Sequence, residues 1–198
     1  PVVSPSGDLV AAFTTVKNDV DVALLGVPDR RVYKNLTPGE TAQYQYLIAQ
    51  GLTVGPDQGR DLAFSPDGSR VAVFARVERT RRLLLLDAIK GGVAEEFDIP
   101  LPVDQPMQPA FSPDGRSVAF KGFRGGQADI YLLDLDDRSI VNLTDDTTYD
   151  TAPSFAPDGK ALIYSARVGQ WTKLVELQLD DPTRRRQLTF GEGNDEGA

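Results

Sequence analysis

Adjacent aspartates are the most obvious candidates for chemistry in this 198-residue sequence. Two neighbouring carboxylates can act as a general acid and base, or can bind calcium through their oxygens. The chain has three such pairs, Asp136-Asp137, Asp145-Asp146 and Asp180-Asp181. All three fall at predicted turns, where aspartate accepts hydrogen bonds from nearby backbone amides, and none fits the EF-hand type of calcium loop. We therefore interpret them as turn residues.

Histidine and cysteine are both absent. Without histidine a Ser-His-Asp triad is impossible, and the commonest general base and transition-metal ligand are missing. Without cysteine the chain forms neither disulfides nor thiolate metal sites. No Gly-x-Ser-x-Gly elbow occurs, and residues 122–126 lack the lysine and serine of a phosphate-binding loop. A Ser–Lys pair stays open, but no spacing marks one, so we predict no catalytic residue, no cofactor and no metal site.

A short phrase recurs along the chain and predicts its architecture. It reads Phe-Ser-Pro-Asp-Gly at 64–68 and 111–115, Phe-Ala-Pro-Asp-Gly at 155–159 and, more weakly, Ser-Pro-Ser-Gly at 4–7. Proline fixes the backbone angle φ at the first central position of the turn, and aspartate is favoured at the next position. Glycine then takes the left-handed conformation that closes a tight hairpin. Apolar segments flank each copy, so each phrase predicts a hairpin between two strands. The full copies are 47 and 44 residues apart, a spacing typical of β-propeller blades.

Four repeat units follow from this spacing. We place them at about 1–40, 61–106, 107–150 and 151–189, with an insertion at 41–60 and a lead-in to a further repeat at 190–198. Each unit contains four short segments with strand character, and the run from Leu83 to Leu86 is apolar without alternation. Sheets that are apolar on both faces must stack against neighbours. The predicted fold is all-β: a β-propeller of four-stranded antiparallel blades, with four repeats here as part of a larger propeller.

Two stretches interrupt this pattern. The insertion at 41–60 could form a long loop with a short helix, and long loops in compact domains often carry function. Pro100, Pro102 and Pro106 end the second unit and are expected to prevent regular strand pairing there. A closed ring of four blades and a two-sheet sandwich are alternatives to the larger propeller, although a sandwich requires no internal repeat.

With these pieces identified, the sequence resembles the PD40, or TolB-type, propeller repeats, which are also called WD40-like. The resemblance is carried by the Phe-Ser-Pro-Asp-Gly phrase, by the strand ending Tyr131-Leu132-Leu133-Asp134, and by closing tripeptides of the Asn-Leu-Thr type. The tripeptides lie at 35–37, 142–144 and, as Gln-Leu-Thr, 187–189. The second unit departs, with Glu95-Glu96-Phe97 in that place, and the Gly-His and Trp-Asp pairs of true WD40 repeats are absent. The resemblance implies a propeller across nearly the whole chain, apart from the insertion.

One pair of aspartates recurs in register with the repeat. Asp150 and Asp195 occupy the same repeat position, just before the innermost strand of a blade, and follow Tyr149 and Asn194. In a propeller this position lies near the mouth of the central channel, where a ring of acceptors could hold a cation or a basic peptide segment. The alternative is that each aspartate caps the entry turn of its own blade. We take these four residues as candidates for binding a partner.

Charge and hydropathy narrow the possible partners. The formal net charge of −8 argues against a nucleic-acid-binding protein, which would present a basic face. Arginine clusters at 79–82 and 184–186 lie beside predicted strands, where charged side chains discourage sheet-to-sheet aggregation. No apolar run approaches the length of a membrane span, and no signal peptide is visible. We expect a protein or peptide partner, no nucleic acid and no membrane insertion by these residues.

The resemblance implies two kinds of function. TolB-type proteins use a propeller face to hold a partner protein, which implies a non-catalytic interaction module of the bacterial cell envelope, located in the periplasm. Similar propellers also form the gating domain of prolyl-oligopeptidase-like serine peptidases, whose catalytic domain lies elsewhere in the chain. The alternative is thus a substrate-gating part of a larger peptidase or multidomain envelope protein. Either reading leaves room for further blades or domains in the same chain.

Overall fold

The chain forms four antiparallel β-sheets, which we call blades 1 to 4. The computed structural model describes residues 1–16, 19–38, 45–46 and 61–197. Blade 1 contains β1 (Val2–Val3), β2 (Leu9–Val16), β3 (Asp19–Gly26) and β4 (Val32–Asn35). Blade 2 contains β5 (Gln45–Tyr46), β6 (Leu62–Phe64), β7 (Arg70–Val77), β8 (Thr80–Asp87) and β9 (Val93–Ile99). Blade 3 contains β10 (Asp104–Phe111), β11 (Ser117–Arg124), β12 (Gln127–Asp134) and β13 (Ile140–Asn142), and blade 4 contains β14 (Asp150–Phe155), β15 (Ala161–Val168), β16 (Trp171–Gln178) and β17 (Asp181–Gln187).

Each blade is an antiparallel meander, with consecutive strands hydrogen-bonded in order. The predicted all-β class with four-stranded blades is confirmed, and no helix occurs among the residues that the structure describes. Blade 2 has one addition, because β5 and β6 both pair with β7. Two residues of the predicted insertion therefore contribute to a blade, with Gln45 opposite Arg76 and Tyr46 opposite Ala75. Apart from Gln45 and Tyr46, the residues at 41–60, where a short helix was expected, lie outside the described part of the chain.

Strand β10 includes one of the prolines at the end of the second unit. Pro106 was expected to prevent regular pairing; it lies within β10, which runs from Asp104 to Phe111 and pairs with β11 irregularly. The pairing of β10 with β11 shifts register on both sides of Met107, so that some residues have no direct partner. Gln105 and Gln108 adopt left-handed backbone conformations, with φ of 44° and 55°. A bulged strand leaves residues out of the hydrogen-bond ladder, and this is where a residue without an N–H is tolerated.

Apolar side chains between the blades form the core. Leu84 and Leu86 belong to the cluster that blade 2 makes with blade 1. Leu83 and Leu85 belong to the cluster that blade 2 makes with blade 3, and all four leucines are fully buried. A third cluster joins blades 3 and 4. The prediction that the leucine run forms a strand covered on both faces is confirmed, since alternate side chains of a strand point to opposite faces.

The repeated phrase forms the predicted hairpin turn. In blade 2 the amide of Gly68 donates to the carbonyl of Ser65 at 2.9 Å, and Gly68 has a φ of 72°. The Ser65 hydroxyl donates to Asp67 at 2.5 Å and accepts from the amide of Arg70 at 3.0 Å. The Asp67 carboxylate also accepts from the amide of Ser69 at 3.0 Å. These hydrogen bonds, that of Ser65 first, lower the pKa of Asp67 to about 2, so the turn keeps its charged form.

Successive turns pack against one another. A Cβ atom placed on Gly68 would lie 3.7 Å from Cδ of Pro5, the proline of the preceding turn. The same contact recurs at 3.6 Å between Gly115 and Pro66 and at 3.6 Å between Gly159 and Pro113. Gly7, in the first turn, has no such neighbour within 4 Å among the described residues. The four sheets are not closed into a ring, and their arrangement is that of a partial propeller.

The closing tripeptides satisfy backbone groups at the outer strands. In blade 3 the hydroxyl of Thr144 accepts the amide of Ile130 at 2.9 Å, and the Asn142 side chain donates to Asp129 at 2.8 Å. Blade 1 repeats both contacts, and Thr189 accepts the amide of Leu174 in blade 4. Blade 2, which lacks the tripeptide, instead pairs Arg82 with two carboxylates of β9. A buried amide without its acceptor is costly, so these threonines fix the edge of each blade.

Replacing Thr144 by valine tests this contact. Thr144→Val keeps the side-chain shape but leaves the buried amide of Ile130 without an acceptor, so we expect a loss of about 1–3 kcal/mol in the free energy of unfolding. Urea titration of both proteins measures the difference. Thr80→Val is the matched control, because Thr80 is exposed and donates only to the carbonyl of Val77; its effect should stay within about 0.5 kcal/mol. Equal losses in the two variants would contradict the assignment.

Candidate functional site

The candidate binding residues lie on the edge of the partial propeller that is opposite the repeated turns. We call this edge the loop face; it carries the hairpin between β11 and β12 and the connection from blade 3 to blade 4 at 143–149. The two segments contact each other, because Gln127 donates to the carbonyl of Thr148 and Arg124 pairs with Asp145. Antiparallel strands place these segments at the far end of β11 from the Ser-Pro-Asp-Gly turn.

Asp150, at the start of β14, is fully buried, with an exposed fraction of 0%. Both of its carboxylate oxygens are buried and accept no hydrogen bond from the residues that the structure describes. Burial raises the pKa of Asp150 to about 7; the nearby Thr144 hydroxyl opposes this rise, and the charge of Asp146 adds to it. The expected alternative, that Asp150 caps its entry turn, finds no support in these contacts.

Tyr164 and Arg185 line the same interface between blades 3 and 4. Tyr164 is 2% exposed, and its pKa is raised by burial and by the charge of Asp150. Arg185 reaches from β17 to the connecting segment, where it pairs with Asp146 and donates to the carbonyl of Leu143 at 3.2 Å. The outermost strand of blade 4 is thereby tied to the end of blade 3.

The other two arginines of this cluster have partners within blade 4. Arg184 donates to Asp180 at 2.7 Å, and Arg186 lies 3.0 Å from Glu176. In the predicted charged edge at 184–186, Arg184 and Arg186 thus form ion pairs within blade 4, and Arg185 pairs with Asp146.

Asn194 and Asp195 contact blade 4 at a separate place. The Asn194 side chain accepts the amide of Thr172 at 2.9 Å. Asp195 pairs at 2.8 Å with Lys173, whose side chain is 4% exposed and also donates to the carbonyl of Gly193. The hydrogen bond from Lys173 lowers the pKa of Asp195. Asp150 and Asp195 thus share a repeat position but have different surroundings: Asp150 is buried and its oxygens accept no hydrogen bond from the described residues, whereas Asp195 is in an ion pair.

A cluster of Lys121, Phe123 and Tyr149 also lies on the loop face, and sequence reasoning missed two of its members. Tyr149 is 44% exposed and packs edge-on against the Phe123 ring, with 6.1 Å between centroids. The ammonium of Lys121 lies 5.0 Å from the Tyr149 ring and 5.2 Å from the Phe123 ring, distances at which a cation attracts an aromatic face. The signal was a lysine inside the apolar strand Ser117–Arg124.

The innermost strands line an apolar groove at their ends nearest the repeated turns, and Pro5 of the first turn is part of its lining. Its volume is about 360 Å³, and residues from all four blades line it. The lining includes Val3 of blade 1, Phe64 of blade 2, Ala110 of blade 3 and Pro153 of blade 4. A groove with these walls can take apolar side chains of an extended segment.

The adjacent aspartates serve as turn residues. Asp137 accepts the amide of Ser139 at 2.7 Å, and Asp181 accepts that of Thr183 at 3.1 Å. Hydrogen bonds from the Ser139 and Thr183 side chains, together with these amides, lower the pKa of the two carboxyls, which is the opposite of what a general acid requires. Among the described residues, no group of three or more acidic side chains is arranged to hold a metal ion. No described helix has the length and apolar character of a membrane span.

These features define a β-propeller segment. A family model, the TolB beta propeller domain of the PD40 type, matches residues 62–197. The match covers well over half of the chain, and the chain belongs to the PD40 family of TolB-type β-propellers.

Several solved structures share this fold. A protein described as TolB from Agrobacterium tumefaciens has 21% identity and a TM-score of 0.70, over 96% of this chain and 61% of that one. TolB from Acinetobacter baumannii has 21% identity and a TM-score of 0.53, over 92% and 57%. A protein described as dipeptidyl aminopeptidase IV from Bacteroides ovatus has 12% identity and a TM-score of 0.63, over 93% and 32%. The chain spans about three fifths of the length of both TolB structures, and these likenesses establish its fold.

The ion pair of Asp195 gives a pH-dependent prediction. A carboxyl whose pKa is lowered by folding stabilises the fold above its unfolded pKa, and this contribution disappears as the pH falls through the folded pKa. We therefore expect Asp195→Asn to lower the melting temperature at neutral pH, with the difference shrinking as the pH falls below about 4. Thermal melts across this range measure it. Asp180→Asn, which removes the exposed partner of Arg184, is the control and should change little; a pH-independent effect of Asp195→Asn would contradict the prediction.

Proposed function

We propose that this chain is a non-catalytic interaction module that binds a protein or peptide partner through the loop face. The observation that carries the proposal is the exposed ring of Tyr149, which is packed on Phe123 and Lys121. An aromatic side chain fixed by its neighbours loses little conformational entropy when it is covered by a partner, and tyrosine is enriched among residues that dominate binding. Membership of the TolB-type family supports the same function.

The rigidity of the loop face supports recognition at this surface. Tyr149 sits one residue before β14, and its carbonyl accepts the amide of Arg167 at 3.3 Å. The neighbouring segment is held by the ion pair of Arg124 with Asp145. Loops on a rigid scaffold can present side chains in one geometry, which is the usual design of a propeller binding surface.

The partner that fits best is an extended peptide segment or loop. Its side chains would cover Tyr149, and its polar groups would meet the Asn194 side chain and the ion pairs of the loop face. Among the four sequence candidates, Tyr149 and Asn194 are exposed and are assigned direct contacts. Asp195 is assigned to hold the C-terminal residues against blade 4 through its ion pair with Lys173. Asp150 is assigned an indirect role, through the packing of blade 4.

The location and the role of the whole protein belong to the same proposal. The likeness to TolB structures supports a periplasmic, envelope-associated protein of bacteria. The alternative is a gating propeller of a larger peptidase, for which the likeness to the Bacteroides ovatus structure is the supporting observation. The two functions differ in one measurable property, since the intact gating protein would cleave peptides and the interaction module would only bind them.

Photo-crosslinking in the source cells tests the binding surface. A photoreactive residue at position 149 should yield an adduct of one defined mass with a partner protein, because Tyr149 lies in the proposed contact. The same residue at position 33 is the control, since Tyr33 is 70% exposed but lies on the outer strand of blade 1. Adducts of equal yield from both positions, or from position 33 alone, would exclude the loop face as the binding surface.

Affinity measurements with the crosslinked partner give the second test. Tyr149→Ala should weaken binding by roughly ten- to a hundredfold, which is the usual cost of removing a central aromatic contact. Tyr33→Ala should leave the affinity unchanged, and both variants should keep the melting temperature of the unmodified protein. Cleavage of the partner by the intact protein would favour the peptidase alternative.

A further inference from the structure

We propose that Asp150 is a proton-binding group in the interface between blades 3 and 4, and that loss of its proton loosens this interface. The proposal goes beyond partner binding, because it concerns how two blades hold together. It rests on a carboxyl group that is fully buried and whose two oxygens accept no hydrogen bond from the described residues. An ionised carboxylate without donors is strongly disfavoured in such a site, and the group takes a proton instead.

Two other buried aspartates, Asp21 and Asp129, have a hydrogen-bond donor that Asp150 lacks in the part of the chain that the structure describes. Asp21 and Asp129 are 3% and 1% exposed, and each accepts a hydrogen bond at 2.8 Å from the asparagine of its closing tripeptide. Those asparagines are Asn35 and Asn142. No asparagine or amide takes that role for Asp150 among the described residues.

Ionisable groups surround Asp150 on the elements that pack against β14. Two carboxylates near it, Asp129 and Asp146, oppose its ionisation, whereas Arg185 favours it. The Arg185 guanidinium is already engaged by Asp146 and by the carbonyl of Leu143. Other polar groups nearby include Lys121 of β11, which lies over two aromatic rings, and the uncharged amide of Gln108 on β10. The hydroxyls of Tyr164 on β15, Tyr131 on β12 and Thr144 also belong to this set, and that of Thr144 favours the ionised form.

The pH range follows from the direction of the shift. Burial raises the pKa of Asp150 to about 7, far above that of an unfolded aspartate. The folded chain therefore keeps the proton that the unfolded chain loses, and stability falls as the pH rises from about 4 to about 7. Above this range the carboxylate is charged within the interface, which favours entry of water or movement of β14.

One hydrogen bond between the blades reports on this movement. The amide of Ala152 on β14 donates at 2.8 Å to the side chain of Gln108 on β10, and both residues are buried. Ala152 lies two residues beyond Asp150 and has a left-handed backbone conformation with a φ of 53°. If charge on Asp150 displaces the start of β14, this bond is expected to open before the rest of blade 4.

Hydrogen exchange of the intact protein tests the proposal. We expect peptides from β14 to lose about tenfold in protection between about pH 6 and about pH 8, after correction for intrinsic exchange, while peptides from β7 keep theirs. Asp150→Asn, which is neutral and nearly isosteric, should keep full protection at both pH values. Asp180→Asn, which changes an exposed carboxylate of the same blade, is the control and should lose protection at β14 with pH as the unmodified protein does.

Three results would overturn the proposal. Loss of protection in Asp150→Asn equal to that of the unmodified protein would show that another group titrates. Restoration of protection at about pH 8 by millimolar calcium, in the unmodified protein but not in Asp150→Asn, would identify an ionised cation ligand instead. Direct titration of the Asp150 carboxyl by NMR avoids any variant: a midpoint near neutral pH supports the proposal, and a midpoint at or below about 4 overturns it.

Discussion

Burial of both faces of each sheet against its neighbours is the constraint on which this structure depends. In blade 2 the alternating leucines of β8 serve two interfaces, with Leu84 and Leu86 toward blade 1 and Leu83 and Leu85 toward blade 3. A four-stranded sheet of this kind has no stable isolated form, because the apolar side chains of both its faces would be exposed to water. Every polar group placed between blades must therefore find a partner inside the interface or remain uncharged.

The closing tripeptides and Asp150 show two outcomes of that constraint. Thr144 and Asn142 provide an acceptor and a donor where blade 3 would otherwise leave an amide and a carboxylate unpaired. Asp150 has no such arrangement, although it lies in the same interface as Thr144. Tyr149, one residue earlier, is exposed on the loop face. The position of the proposed contact is thus set by a strand whose first residue is held in the blade interface.

The sequence predicted the fold well, because the glycine and proline of each turn and the apolar segments recur together. Glycines 68, 115 and 159 all adopt the positive φ that the turns require. Pairing around Pro106 was not predictable, since a bulge that removes a residue from the ladder leaves no mark in composition. The role of Gln45–Tyr46 in blade 2 was equally hidden, because two residues are too few for a periodic pattern.

The candidate site was predicted only in part. Repeat alignment identified Asp150 and Asp195 as equivalent, but burial and charge separate them, and neither is encoded locally. The central claim is that the loop face binds a partner protein without cleaving it. Hydrogen exchange of the intact protein, measured with and without the partner identified by crosslinking, tests this claim most directly. We expect new protection at 123–127 and 145–149 and an uncleaved partner. Protection at the Ser-Pro-Asp-Gly turns instead, or a cleaved partner, would contradict it.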